Sequence, residues 1–121
     1  MRLVSLQKNY GLAQLETRPQ GMAVETLGDR FDDGDNAFFD SAAAMASLDL
    51  VITCDTSIAH LAGALGVKVW TALKFVPDFR WGIGGEETPW YASMRLFRQS
   101  SPGDWTGVFD AMREALEQEL S

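Results

Sequence analysis

A buried strand that runs directly into a helix is the feature that most constrains this fold. Residues 48–54 are rich in β-branched side chains and almost wholly apolar, which predicts a strand covered on both faces. Apolar residues then repeat at helical spacing, and a second apolar run occupies 67–73. The repeat consists of Ile58, Leu61, Ala62 and Leu65, with Gly66 as its stop. Strand, helix and strand in this order are typical of a parallel sheet.

The rest of the chain continues the alternation of strands and helices. Further strands are predicted at 3–6, 23–27 and 94–97, and helices at 11–16, from Asp40 or Ser41 to Ser47, and after Asp104. One face of the last helix is formed by Trp105, Val108, Phe109, Met112, Leu116 and Leu120. The pattern predicts a three-layer, Rossmann-like α/β fold with a parallel sheet in the flavodoxin-like order 2-1-3-4-5.

Length and composition bound the class of protein. A chain of 121 residues, 46% of them apolar, is expected to form one domain over 1–121. Cys54 is the only cysteine, so no intrachain disulfide is available, and its place in a strand predicts a small buried hydrophobe. No apolar run approaches the ~20 residues of a membrane span. We therefore expect a cytoplasmic protein without a membrane span or a signal peptide.

The net charge of −7 disfavours nucleic acid as a partner, because nucleic-acid binders normally present a basic face. The acidity is local. The stretch 25–55 holds eight acids and one base and so carries the whole net charge. Within it, the loop at 29–36 lacks the downstream glutamate of a calcium-binding loop, which favours a solvated loop over a metal site.

The predicted strand order places two segments at the point where the order reverses, which is where ligands bind in such sheets. The first strand leads into Lys8, and the third leads into Asp55, Thr56 and Ser57 at the start of a helix. A helix N-terminus offers free amides and a partial positive charge to an anion. A plain helix cap is the alternative interpretation of the same three residues.

Further cations are predicted at the same edge. Lys74 follows the fourth strand, Arg80 lies in the long loop 74–92, and Arg98 ends the fifth strand. Together with Lys8 they provide four positive charges, which favours a phosphate ligand in spite of the net acidity.

Three residues near this edge have alternative roles. His60 is predicted either to donate to a ligand phosphate or sugar or to bond a neighbouring backbone group. Gly63, inside the helix, indicates close packing or close approach of a ligand, since glycine costs ~1 kcal/mol there. Trp81 is a candidate for stacking on a base or sugar, whereas the other aromatic residues of loop 74–92 are expected to pack.

The run at 49–66, DLVITCDTSIAHLAGALG, resembles the signature of family 9, heptosyltransferase-like glycosyltransferases. The nearer likeness is to transferase domains that follow tetratricopeptide repeats in bacterial proteins. PDFRW at 77–81 and SMRLFRQ at 93–99 are similar to two further landmarks of that group. The likeness covers almost the whole chain. One departure is Ser57, where heptosyltransferases usually have glycine, and it leaves the identity of the sugar open.

The resemblance implies the C-terminal, donor-binding half of a two-domain GT-B glycosyltransferase. The donor would be a nucleotide-diphosphate sugar, transferred without a metal or another cofactor. The positions that match the donor site are Lys8, Asp55, Thr56, Ser57 and His60. Arg80 and Trp81 complete the predicted donor-binding set. The family's catalytic carboxylate lies in the other half, so Asp55 and His60 are the only candidate catalytic residues here, and the chain alone is expected to be an incomplete enzyme.

Two alternatives remain open at this point. A non-catalytic nucleotide-binding or interaction module would need the same phosphate site. A phosphoacceptor receiver domain would fit the length and strand order, but it needs acids where Gln7 and Lys8 stand. Expected partners are the missing N-terminal half or a second copy of the chain, through apolar surface near the aromatic loop.

Overall fold

A computed structural model of the chain describes residues 2–6, 24–26, 39–82 and 84–120. The chain divides into two compact units, residues 1–43 and 44–121. Each described sheet is parallel, and three helices accompany the strands. The predicted α/β class with parallel strand pairing is therefore confirmed.

The first unit contains a two-stranded sheet. Strand β1 (Leu3–Ser5) pairs with β2 (Val24–Thr26), and Leu3 lies opposite Val24. Arg2 and Glu25 form an exposed ion pair across these strands at 2.8 Å. The predicted helix at 11–16, Lys8 and the acidic loop at 29–36 lie outside the described residues.

The helix α1 (Phe39–Met45) spans the boundary between the units. Its span agrees with the predicted helix from Asp40 or Ser41 to Ser47, shifted by one or two residues at each end.

The second unit contains a three-stranded parallel sheet in the order β3-β4-β5. Its strands are β3 (Val51–Cys54), β4 (Val69–Leu73) and β5 (Met94–Arg98). The helix α2 (Ser57–Ala64) packs against β3 and β4, and α3 (Trp105–Leu120) packs against β5. The neighbours in each described sheet, β1 with β2 and β3-β4-β5, are those of the predicted order.

The core of this unit lies around β4, which is buried along its whole length. On one face, Trp70 and Ala72 of β4 and Phe97 of β5 meet α3. The contacting side chains of α3 are Val108, Met112 and Ala115. Asp104 caps α3 as predicted, because its Oδ1 accepts from the amide of Gly107 at 3.1 Å.

The prediction that β3 is covered on both faces is wrong for the described chain. Ile52 is 50% exposed and Cys54 is also exposed, so Cys54 is not the buried hydrophobe that its sequence position indicates. The physical reason is that β3 is an edge strand of this sheet, while the cluster under α3 is built from β4 and β5.

The apolar face of α3 is buried only in part. Val108 and Met112 are in the core, whereas Phe109 and Leu120 are exposed. The rings of Trp105 and Phe109 stack on each other with centroids 6.3 Å apart. None of the helices in the described segments combines the length and the apolar character needed to cross a membrane.

Candidate functional site

The strands β3, β4 and β5 end at one edge of their sheet. Cys54 lies beside Ala72, and Ala72 beside Phe97, so the segments that follow the three strands emerge together. These segments begin with Asp55, Lys74 and Gln99. The buried Gln99 joins two of them, because its Oε1 accepts from the amide of Phe75 at 2.9 Å. This edge carries the predicted site.

The first turn of α2 presents polar groups at this edge. Thr56, Ser57 and Asp55 are exposed. Thr56 has an extended backbone, and within the described chain its side chain makes no capping bond to the helix. Its hydroxyl lies 3.3 Å from that of Thr53 instead. Thr56 thus occupies the N-cap position with its backbone, but its hydroxyl does not compete for the first amides of α2.

His60, one turn into α2, is fixed from three sides. Its Nε2 lies 3.2 Å from Nη1 of Arg80, and its Nδ1 lies 3.0 Å from Oη of Tyr91. A guanidinium group only donates, so Nε2 accepts and the proton is on Nδ1, which donates to Tyr91. The ring also stacks on Trp81, with centroids 5.3 Å apart and planes at 19°. His60 therefore bonds side chains rather than neighbouring backbone.

Tyr91 also explains the glycine inside α2. A Cβ at Gly63 would overlap the Tyr91 ring, so only glycine admits the ring at this position. Of the two predicted reasons for Gly63, close packing is the one that the structure provides. The ring fills this space while its hydroxyl reaches His60.

Arg80 is presented by a short 3-10 turn, Phe79–Trp81. Asp78 caps this turn: its Oδ1 accepts from the Arg80 amide at 3.1 Å and from Arg80 Nε at 2.9 Å. The backbone hydrogen bond from Arg80, helped by the side-chain bond, holds the pKa of Asp78 below its usual value. The carbonyl of Arg80 accepts from Trp90 Nε1 at 2.9 Å. Nη1 of the fixed side chain still faces His60.

Asp55 completes the group around His60. Its Oδ1 lies 3.8 Å from Nε2 of His60. Asp55 and His60 were predicted from the sequence as neighbours in one site, and the structure brings them together with Arg80. Lys8 lies outside the described residues.

Arg98 was predicted to be one of the cations at this edge, but its guanidinium is engaged elsewhere. Its guanidinium donates to four backbone carbonyls of the loop, those of Trp81, Gly82, Gly84 and Gly85. Burial lowers the pKa of Arg98. Its hydrogen bonds hold the loop that carries Arg80, so its role is structural. Lys74 is exposed and has no ion-pair partner among the described residues.

Trp81 was predicted as a candidate for stacking on a base or sugar, but its ring is not available for that role. It is 3% exposed, and its ring lies against His60, with the Tyr91 ring 6.5 Å away. The exposed tryptophan of this loop is Trp90, at 62%. The expectation that the other aromatic residues of the loop pack is wrong for Phe75, Phe79 and Trp90, which are exposed. The ring that packs is that of Trp81, which supports the imidazole.

Two contributors, Tyr91 and Gln99, are not among the residues predicted for this site. The only related signal was Gly63, whose missing side chain is consistent with a large group nearby.

Comparisons with protein-family models, with curated proteins and with solved structures found no match for this chain.

Proposed function

We propose that this chain binds the diphosphate of a nucleotide-diphosphate sugar at the edge formed by Asp55, Thr56, Ser57 and Arg80. In this proposal it is the donor-binding half of a metal-independent GT-B glycosyltransferase. The observation that carries the proposal is the 3.2 Å contact between Arg80 and His60, which fixes a permanent cation at the first turn of α2. A preorganised cation beside a helix N-terminus is suited to phosphate.

The hydroxyl groups and amides of the α2 terminus support the same ligand. Thr56 and Ser57 are exposed, and within the described chain the Thr56 side chain makes no capping bond, so a phosphate oxygen can accept from these hydroxyls. Arg80 retains 44% side-chain exposure. Hydrogen bonds to charged groups contribute about 1.5–3 kcal/mol each, so two or three such bonds total about 3–9 kcal/mol, which corresponds to binding in roughly the millimolar to micromolar range.

Donor chemistry would use the same cations. Cleavage of the sugar–phosphate bond leaves charge on the diphosphate, and Arg80 with the α2 terminus would stabilise it. His60 would orient the phosphate through Arg80, whose Nη1 its Nε2 holds. Asp55 is the one carboxylate beside His60, and no second free carboxylate flanks the imidazole among the described residues. The base that activates the acceptor would therefore belong to another domain.

Calorimetry with UDP-, GDP- and ADP-sugars in the presence of EDTA tests the proposal. We expect one of them to bind, and Arg80→Gln to weaken binding about tenfold or more. Arg113→Gln is the matched control, because Arg113 is an exposed arginine of α3 whose ion pair is with Asp110. No binding of any sugar nucleotide would overturn the proposal.

A non-catalytic nucleotide-binding module is the second candidate. It is favoured by the same shortage of carboxylates around His60, since Asp78 is engaged by Arg80 and leaves only Asp55. The two candidates differ in the complete protein: transfer of sugar by a longer chain carrying this domain supports the first, and binding without transfer supports the second. Efficient transfer by the present chain alone would contradict the expectation of an incomplete enzyme.

A further inference from the structure

The Nε2 atom of His60 lies between two groups of opposite charge. Nη1 of Arg80 is 3.2 Å from this nitrogen, and Oδ1 of Asp55 is 3.8 Å from it. A guanidinium group can only donate a hydrogen bond, and an ionised carboxylate can only accept one. The nitrogen therefore suits Arg80 while it carries a lone pair, and it suits Asp55 once it carries a proton.

The other side of the imidazole is the same in both protonation states. Nδ1 carries a proton in the neutral ring, because Nε2 accepts from Arg80, and it carries one in the charged ring as well. Oη of Tyr91, 3.0 Å away, can accept that proton in either state. The indole of Trp81, stacked at 5.3 Å, also favours a charged ring, since aromatic faces attract cations. A change of charge is thus confined to Nε2.

Arg80 has a second anchor besides His60. Its Nε donates to Oδ1 of Asp78 at 2.9 Å, so the guanidinium keeps its place on the turn when Nη1 loses the imidazole. The side chains of Arg80, His60 and Asp55 are 44%, 28% and 34% exposed, which gives solvent protons access to all three. The charged and titratable groups around the ring are Arg80 and Asp78 of the 3-10 turn, Asp55 after β3, and Tyr91.

We propose that His60 is a pH-operated switch that engages Arg80 when it is neutral and Asp55 when it is charged. Histidine ordinarily titrates between about pH 5 and 8. Above this range, Nε2 accepts from Nη1 of Arg80. When Nε2 takes a proton from solvent, it donates to Asp55 instead, and the like charge of the imidazolium repels Arg80. Nη1 is then released from the ring, while the bonds to Tyr91 and Asp78 remain.

The switch controls how much of the Arg80 guanidinium is available at this edge of the sheet. Neutral His60 occupies one N–H of that group, whereas charged His60 frees it and adds a second positive charge beside it. For the diphosphate proposed above, the released N–H would be a further donor in mild acid. The switch itself is a property of the free chain, so its test is independent of that ligand.

The test is NMR of the labelled chain without ligand, between about pH 8.5 and 5. His60 is the only histidine, so its ring nitrogens give one set of signals, and the Arg80 guanidinium is assigned by its loss in Arg80→Gln. We expect the Arg80 signals to move in one pH step with the His60 ring, and the Nη1 group to rotate faster below that step. In His60→Gln, whose amide oxygen accepts at every pH, the Arg80 step should be absent.

Asp55→Asn tests the second contact. Without this carboxylate the charged ring loses a partner, so the common step should move to lower pH by roughly half a unit. Asp110→Asn is the matched control, because Asp110 is an exposed aspartate of α3 paired with Arg113, and it should leave the step in place. The proposal would be overturned by Arg80 signals that do not follow the ring, by a step that persists in His60→Gln, or by a step that Asp55→Asn does not move.

Discussion

His60 and Tyr91 are joined by a hydrogen bond of 3.0 Å between Nδ1 and Oη, across 31 positions of sequence. This bond and the Arg80 contact at Nε2 leave the imidazole one arrangement of its proton. It also connects helix α2 to the long loop that carries Arg80. The arrangement of the candidate site thus depends on a tyrosine that lies outside the predicted donor-binding set.

We expect Arg80→Ala to release the proton of His60 from Nδ1, because the guanidinium holds Nε2 as an acceptor, whereas the Tyr91 hydroxyl can donate or accept at Nδ1. His60 is the only histidine, so its two ring nitrogens are resolved in an NMR spectrum without ambiguity. The expected change is from one tautomer in the parent chain to a mixture in the variant. An imidazole spectrum unaffected by Arg80→Ala would contradict the tautomer assigned here.

Gly63→Ala is expected to destabilise the chain by about 1–3 kcal/mol, because the new methyl group overlaps the Tyr91 ring. Helix propensity alone predicts the opposite, a gain of about 1 kcal/mol. Denaturant unfolding of a double-mutant cycle separates the two effects. In the Tyr91→Ala background, Gly63→Ala should be neutral or stabilising. A loss of the same size in both backgrounds would show that another group causes it.

The Asp78 carboxylate makes a pH-dependent contribution to the stability of the folded chain. Its pKa is lowered in the folded chain by bonds from Arg80, so its contribution to stability is present above the ordinary value of 3.8 and is lost as pH falls through the lowered value. Melting temperatures measured between neutral and strongly acidic pH should show this loss in the parent chain. In Asp78→Asn the corresponding component of the acid dependence should be absent. An unchanged acid dependence in that variant would contradict the role of Asp78.

Arg98→Lys is expected to destabilise the loop by about 2–3 kcal/mol, although it keeps the charge. One ammonium group cannot reach the four carbonyls that the guanidinium bonds. Urea unfolding measures the loss, and Arg113→Lys on α3 is the control, because that arginine has one exposed ion pair. If the two variants lose equal stability, Arg98 does not hold the loop.

Exposed apolar side chains near the candidate site predict self-association or a missing partner domain. Val76 is 72% exposed and Phe79 88% exposed, and Trp90 is close to the same turn. Light scattering should give a mass above that of one chain, and Phe79→Ser should reduce it. Phe109→Ser, on α3, should not. A mass of one chain at all concentrations would leave only the missing-domain interpretation.

Local chemistry explains which parts of the fold were predictable. The run at 51–54 and the helical repeat after Ser57 specify β3 and α2 because apolar periodicity is a property of neighbouring residues. The Asp104 cap is also local, because its carboxylate accepts from the backbone amide of Gly107, three residues along the chain. The grouping of Asp55, His60 and Arg80 follows in part from topology, because parallel strands end at one edge.

The errors arise from contacts between distant residues. Trp81 and Arg98 have side chains suited to a ligand, but the structure uses one against His60 and the other on loop carbonyls. The exposure of Cys54 depends on which strands α3 covers, and apolar composition does not encode that choice. Tyr91 was not predicted because its partner is 31 positions away.

The exposed thiol of Cys54 makes the candidate site experimentally accessible. The chain has no other cysteine, so a maleimide fluorophore or spin label would attach at one position without any mutagenesis. That position adjoins Asp55 in sequence, at the strand end that leads into α2. A label there would report ligand arrival at the Arg80 edge.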